Sequence, residues 1–120
     1  MKIIRAKVRF NKLYNNMLSR DEAIEKIKKL KTKSNIQEVA RRAKQIYGDD
    51  VVLYVSDRKN KKYMILEPKT EKWIHFGDIR YEDHTYHGDN DRRERFQIRN
   101  HKWSKEPKYS PGYMAYYLLW

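Results

Sequence analysis

From Lys2 to Phe10 apolar and polar side chains alternate, with Ile4, Ala6, Val8 and Phe10 on one face and Arg5, Lys7 and Arg9 on the other. This is the period-two pattern of a half-buried strand whose wet face is a row of cations. Asn11 to Asn16 break it. Ser19-Arg-Asp-Glu22 then has the form of a capping box, Leu18 stands in the staple position, and Ala23, Ile24, Ile27 and Leu30 follow at helical spacing. The spacing predicts a helix over 20–30 that stops in Lys31-Thr32-Lys33. Ser34-x-x-Gln37 reads as a second capping box. Ile36, Val39, Ala40, Ala43, Ile46 and Tyr47 recur at three and four, which predicts a helix over 35–47 closed by a left-handed Gly48.

The period then changes to two. Val51–Val55, Tyr63–Leu66 and Trp73–Phe76 are short β-rich runs separated by Asp57–Lys61 and Pro68–Thr70, which have turn composition. Asp78 to Asn90 reads as irregular. The Asp89/Asn90-Asp91 group predicts a third helix to about His101, with Phe96, Ile98 and Trp103 as its apolar contributors. Lys105–Pro111 reads as a loop, and Tyr113–Trp120 is apolar almost all round, so it requires a buried or docked position. The expected fold is α+β: a three- to four-stranded antiparallel meander, the fourth strand being Lys2–Phe10, with two N-terminal helices and C-terminal helical segments. The expected organisation is one small basic domain over 1–120, with 1–33 as a possible N-terminal extension.

Composition adds a direction. The 120 residues hold no cysteine, which excludes disulfide frameworks, thiolate metal sites and cysteine nucleophiles. The longest apolar run, Met114–Trp120, is about a third of a membrane span, and no signal-peptide core opens the chain, so neither membrane insertion nor secretion is expected. Against 16 acidic residues stand 28 lysines and arginines, a formal charge of +12. Residues 1–50 carry most of the excess, 14 basic against 6 acidic. Such a charge suits a polyanionic partner, nucleic acid above all, although lysine used as a solubiliser accounts for it as well.

A set of motifs extends along the rest of the chain: Arg58-Lys-Asn-Lys-Lys-Tyr-Met64, Lys72-Trp-Ile-His-Phe-Gly77, Tyr81-Glu-Asp-x-Thr85, His87-x-Asp89, Arg92-Arg93, Arg99-Asn100, Trp103, Lys108-Tyr-Ser-Pro111 and Leu118-Leu-Trp120. Together with the Glu38–Arg42 segment, they resemble a small basic protein family of unknown function that is widespread in large nucleocytoplasmic DNA viruses, mimivirus-like and iridovirus-like. The resemblance spans 34–120. Asp78, Ile79 and His84 depart from the family's usual residues, His84 standing where an aromatic is more common. The resemblance implies a viral origin and a place in the virion or the host-cytoplasmic viral factory; it implies no activity.

Activity must therefore come from the residues. The helices over 20–30 and 35–47 have the lengths of a helix-turn-helix, and the second carries Arg41, Arg42 and Lys44 toward phosphates; two helices packed on a sheet behind a solvated basic face are the simpler expectation, since no pattern fixes the tight turn. Arg5, Lys7 and Arg9, with the turn cations Arg58, Lys59, Lys61 and Lys62, can follow a phosphate backbone while Tyr54, Tyr63 or Trp73 stacks on bases. The alternative is that the aromatics are core and the lysines protect an edge. Arg92, Arg95 and Arg99 are plausible phosphate contacts, but the neighbouring acids make intramolecular ion pairs the simpler expectation. His84, His87 and Asp89 form a weak candidate metal set, with hydrogen bonding in a long loop as the alternative. No phosphate loop or nucleophile motif occurs. The leading expectation is a non-enzymatic nucleic-acid-binding protein without a cofactor, duplex DNA favoured over RNA and sequence specificity slight. The alternatives are a virion structural protein that meets virion partners through Tyr113–Trp120, and a metal-dependent nuclease.

Overall fold

The computed structural model describes residues 18–120; the strand expected over Lys2–Phe10, with Arg5, Lys7 and Arg9, lies outside them. The described chain is α+β. It runs through α1 (Arg20–Leu30), α2 (Ile36–Tyr47), β1 (Leu53–Val55), β2 (Lys61–Glu67) and β3 (Lys72–Asp78). There follow α3 (His84–His87), α4 (Asn90–Arg99), a 3-10 turn (His101–Lys105), α5 (Pro111–Met114) and a π turn (Ala115–Leu119).

The first helix starts where its capping box dictates. Glu22 N–H donates to Ser19 Oγ at 3.2 Å and Ser19 N–H to Glu22 Oε1 at 3.0 Å. These bonds satisfy two of the donors that a helix start leaves open. The second box does not form. Asn35 caps α2 by accepting from Glu38 N at 3.1 Å, while Ser34 is buried and its hydroxyl accepts from Tyr63 OH at 2.7 Å. A short side chain one residue nearer the helix won the cap, and tertiary burial claimed the serine.

β1, β2 and β3 form one antiparallel meander in sequence order, with Tyr63 opposite both Val55 and Phe76 and Ile65 opposite both Leu53 and Ile74. Those side chains share one face of the sheet because strand side chains alternate. Against them pack Leu30 of α1, Ile36, Val39 and Ala43 of α2, and Met114, Leu118 and Leu119 of the C-terminal segment. Full burial of each large member contributes about 1.5–3 kcal/mol of transfer free energy. The terminal segment is thus a core element: Ser110 caps α5 from the residue before Pro111, and Trp120 N–H reaches back to Ala115 O at 3.3 Å to close the π turn. Two expectations need correction. His84–His87 is helical rather than irregular, one turn set by the Asp83 cap. Ile98 of α4 is 70% exposed and contributes nothing to the core.

Candidate functional site

Between the sheet, α4 and the C-terminal segment lies a cleft of about 820 Å³. Lys61 enters it from β2, and Arg92, Arg95 and Arg99 line it from α4. Spacing of three and four keeps the three arginines on one helix face. Four of the expected phosphate contacts, separated by some thirty residues in sequence, therefore share one concave surface. Phe76, Phe96, Trp103 and Trp120 supply its apolar walls.

Lys62, expected on the same basic turn, is not available to a ligand's phosphates. Its side chain is 2% exposed and its Nζ lies 2.8 Å from Asp83 Oδ2, itself 1% exposed. Nζ also donates to Lys33 O at 3.3 Å. Asp83 Oδ1 accepts from Thr85 N at 3.0 Å and from the Thr85 hydroxyl, and Thr85 Oγ1 in turn accepts from Asn35 N at 3.0 Å. Two buried charges each need a partner, and this network supplies both while fastening the α1–α2 turn to β2 and α3. Burial pushes the Lys62 ammonium below its ordinary value and the Asp83 carboxylate opposes that push.

The carboxylates of the cleft divide unevenly among the cations. Asp78 holds Arg80 through two bonds, 2.9 and 2.7 Å, which lowers its own pKa to about 2. Glu82 lies 3.4 Å from Arg92. Among the described residues Arg93, Arg95 and Arg99 have no carboxylate partner. Of the acids expected to pair with them, Asp89 caps the N–H groups of Asp91 and Arg92, and neither Asp91 nor Glu94 forms an ion pair with an α4 arginine among the described residues. Arg99 instead lies over the Phe96 ring at 6.0 Å, within cation–π range.

The π turn brings Trp120 onto Phe96, ring centroids 4.4 Å apart and planes within 7°. Trp103 meets Phe96 edge-on at 5.9 Å. The aromatics expected to stack on bases behave otherwise. Tyr54 is 4% exposed and Tyr63 is fully buried, and Trp73 packs on Tyr54 at 5.0 Å, so these rings belong to the sheet's packing. Trp103, Trp120 and Phe96 were not expected as site residues. The available signal was Phe96 within the Arg92–Arg99 spacing and the two tryptophans within the motif set.

Arg41 and Arg42 lie apart from this cleft and border a smaller one of about 370 Å³ with Arg93, Gln97 and Trp120. Both are tied to Glu38, Arg41 through two bonds of 2.8 Å and Arg42 through one of 3.0 Å, which lowers the Glu38 pKa to about 2. Lys44 is exposed, 3.7 Å from Asp49. Arg58 and Lys59 are exposed on the β1–β2 turn next to Lys61. The start of α2 is bonded to Thr85 through Asn35, whereas groove-reading helices present that end to bases.

The weak metal set is not assembled. His84 Nε2 is 3.0 Å from Asn90 Oδ1, His87 Nδ1 accepts from Asp89 N at 2.8 Å, and the Asp89 carboxylate caps α4. No group of three or more metal-ligating side chains occurs among the described residues. Ser56 Oγ lies 2.7 Å from His75 Nδ1, with Asp57 Oδ1 at 3.9 Å from Nε2. Ser56 is fully buried and also accepts from Arg58 N at 3.0 Å, so this trio fastens the turn and offers no nucleophile. No described helix is long and apolar enough to cross a membrane.

No curated protein and no solved structure matches the chain. Residues 51–103, within the expected 34–120 span and containing the sheet, α3, α4 and Trp103, match a family of unknown function (DUF5754).

Proposed function

We propose that this is a non-enzymatic nucleic-acid-binding protein that holds phosphate groups with little choice of sequence. The observation that supports the reading is the convergence of Lys61, Arg92, Arg95 and Arg99 on one cleft, with Arg95 and Arg99 lacking a carboxylate partner among the described residues. Guanidinium groups bind phosphate through two parallel bonds, and phosphate contacts position a strand without reading its bases. Arg58 and Lys59 on the turn beside Lys61 extend the positive surface. The viral resemblance would make genome packaging or the viral factory the setting.

The test is fluorescence anisotropy of labelled duplex DNA, the target favoured by the sequence, beside single-stranded DNA and RNA, across a salt series. Each phosphate neutralised contributes about −0.9 to the log–log slope on duplex and about −0.7 on single strands. A slope steeper than about −3 supports the reading. Weak binding indifferent to salt on all three overturns it.

A further inference from the structure

We propose that the cleft seats one nucleoside 5′-monophosphate unit, its phosphate on Arg95 and Arg99 and its base among the rings of Trp103 and Trp120. The proposal rests on the nucleic-acid reading and narrows it to an unpaired nucleotide. Its size suits the ligand: about 820 Å³ falls in the ~300–1,000 Å³ range of small-molecule sites.

The charge pattern argues for a nucleotide over a run of backbone. Asp78, Glu82 and Glu106 line the same cleft as the arginines. Successive phosphates laid along it would meet these carboxylates. One nucleotide carries a single anionic group and a base edge with N–H donors, so it needs one cationic contact and can use carboxylate acceptors elsewhere in the cleft.

Arg95 and Arg99 stand one helical turn apart, an i, i+4 pair of like charge that repels. A phosphate between them relieves the repulsion. Arg99 is already oriented by the Phe96 face at 6.0 Å, which leaves its planar edge for oxygen atoms. Aromatic rings supply base stacking whatever the base, in line with weak sequence choice.

The experiment is a tryptophan-fluorescence titration of the full chain with AMP, and separately with a single-stranded oligonucleotide and a blunt duplex. Two of the three tryptophans line the cleft, and Trp73→Phe removes the third from the signal. The expected result is saturable quenching by AMP and by the single strand that survives Trp73→Phe. Arg95→Ala with Arg99→Ala, exposed positions whose loss leaves the fold intact by circular dichroism, weakens both at least tenfold. Quenching by AMP without oligonucleotide binding keeps the site as one for free nucleotide and removes the nucleic-acid reading. Salt-dependent oligonucleotide binding that persists without AMP quenching, or that ignores the double substitution, overturns the seat and leaves the broader reading standing. Absence of both overturns the two together.

Discussion

Lys62 Nζ lies 2.8 Å from Asp83 Oδ2 with both side chains almost wholly buried. Such a pair gains little over an apolar substitute of similar shape, yet breaking one half leaves a buried charge without its partner. Asp83→Ala is therefore expected to lower unfolding free energy by about 3–5 kcal/mol, and Lys62→Met combined with Asp83→Leu by clearly less. Urea denaturation of the single and double variants checks this. Additive losses would show that the two charges do not depend on each other.

Gly77 and Gly88 both have positive φ, +80° and +64°, but differ in surroundings. A Cβ on Gly77 would lie 2.8 Å from Leu119 Cδ1 and 3.1 Å from Lys62 Cβ, whereas nothing lies within 4 Å at Gly88. Gly88→Ala carries only the left-handed penalty, about 1 kcal/mol. Gly77→Ala adds overpacking of a core leucine, about 1–3 kcal/mol more. Thermal unfolding should rank Gly77→Ala well below Gly88→Ala, and equal midpoints would contradict the packing at Leu119.

His75 is nearly buried, and burial, then the positive charges of Arg58 and Lys26, with Lys61 last, hold its pKa below the ordinary value while Asp57 opposes them. Ser56 Oγ accepts the Arg58 N–H and shares a 2.7 Å hydrogen bond with His75 Nδ1, while His75 Nε2 lies 3.9 Å from Asp57 Oδ1. A depressed folded pKa means that the folded state binds the proton less well than the unfolded chain. The His75 contribution is full above about pH 6.5 and is lost as pH falls through the folded value. The melting temperature should drop between pH 7 and pH 5, and His75→Asn should flatten part of that slope. His87, shifted in the same direction by burial, supplies another part.

The helices and the meander were legible because their signals are local: Ser19 and Glu22 are three residues apart, and the stripe from Ile36 to Tyr47 keeps one period. Where the deciding partner is distant the sequence misled. Ser34 has the type and spacing of a cap, yet it answers to Tyr63 and Thr85, 29 and 51 residues away. Lys62 has the look of a surface cation until Asp83 folds against it. Arg95 and Arg99 sit in a stretch with no net charge and read as paired, but charge balance along the chain does not fix distance in space. The cleft itself could not be read, because its rings come from β3, α4, the 3-10 turn and the last residue.

The two arginine clusters should differ in their hold on nucleic acid. Arg41 and Arg42 share the Glu38 carboxylate, so a phosphate must compete with bonds of 2.8 to 3.0 Å already made. Arg95 and Arg99 have no such competitor among the described residues. Replacing Arg92, Arg95 and Arg99 by alanine should flatten the salt slope by up to about 0.9 for each duplex phosphate contact removed, whereas replacing Arg41, Arg42 and Lys44 should change it less. Glu38→Gln separates competition from distance: it frees both guanidiniums while removing one negative charge, and should steepen the slope. If the α2 triple flattens the slope more than the α4 triple, binding runs along α2 and the cleft is not its centre.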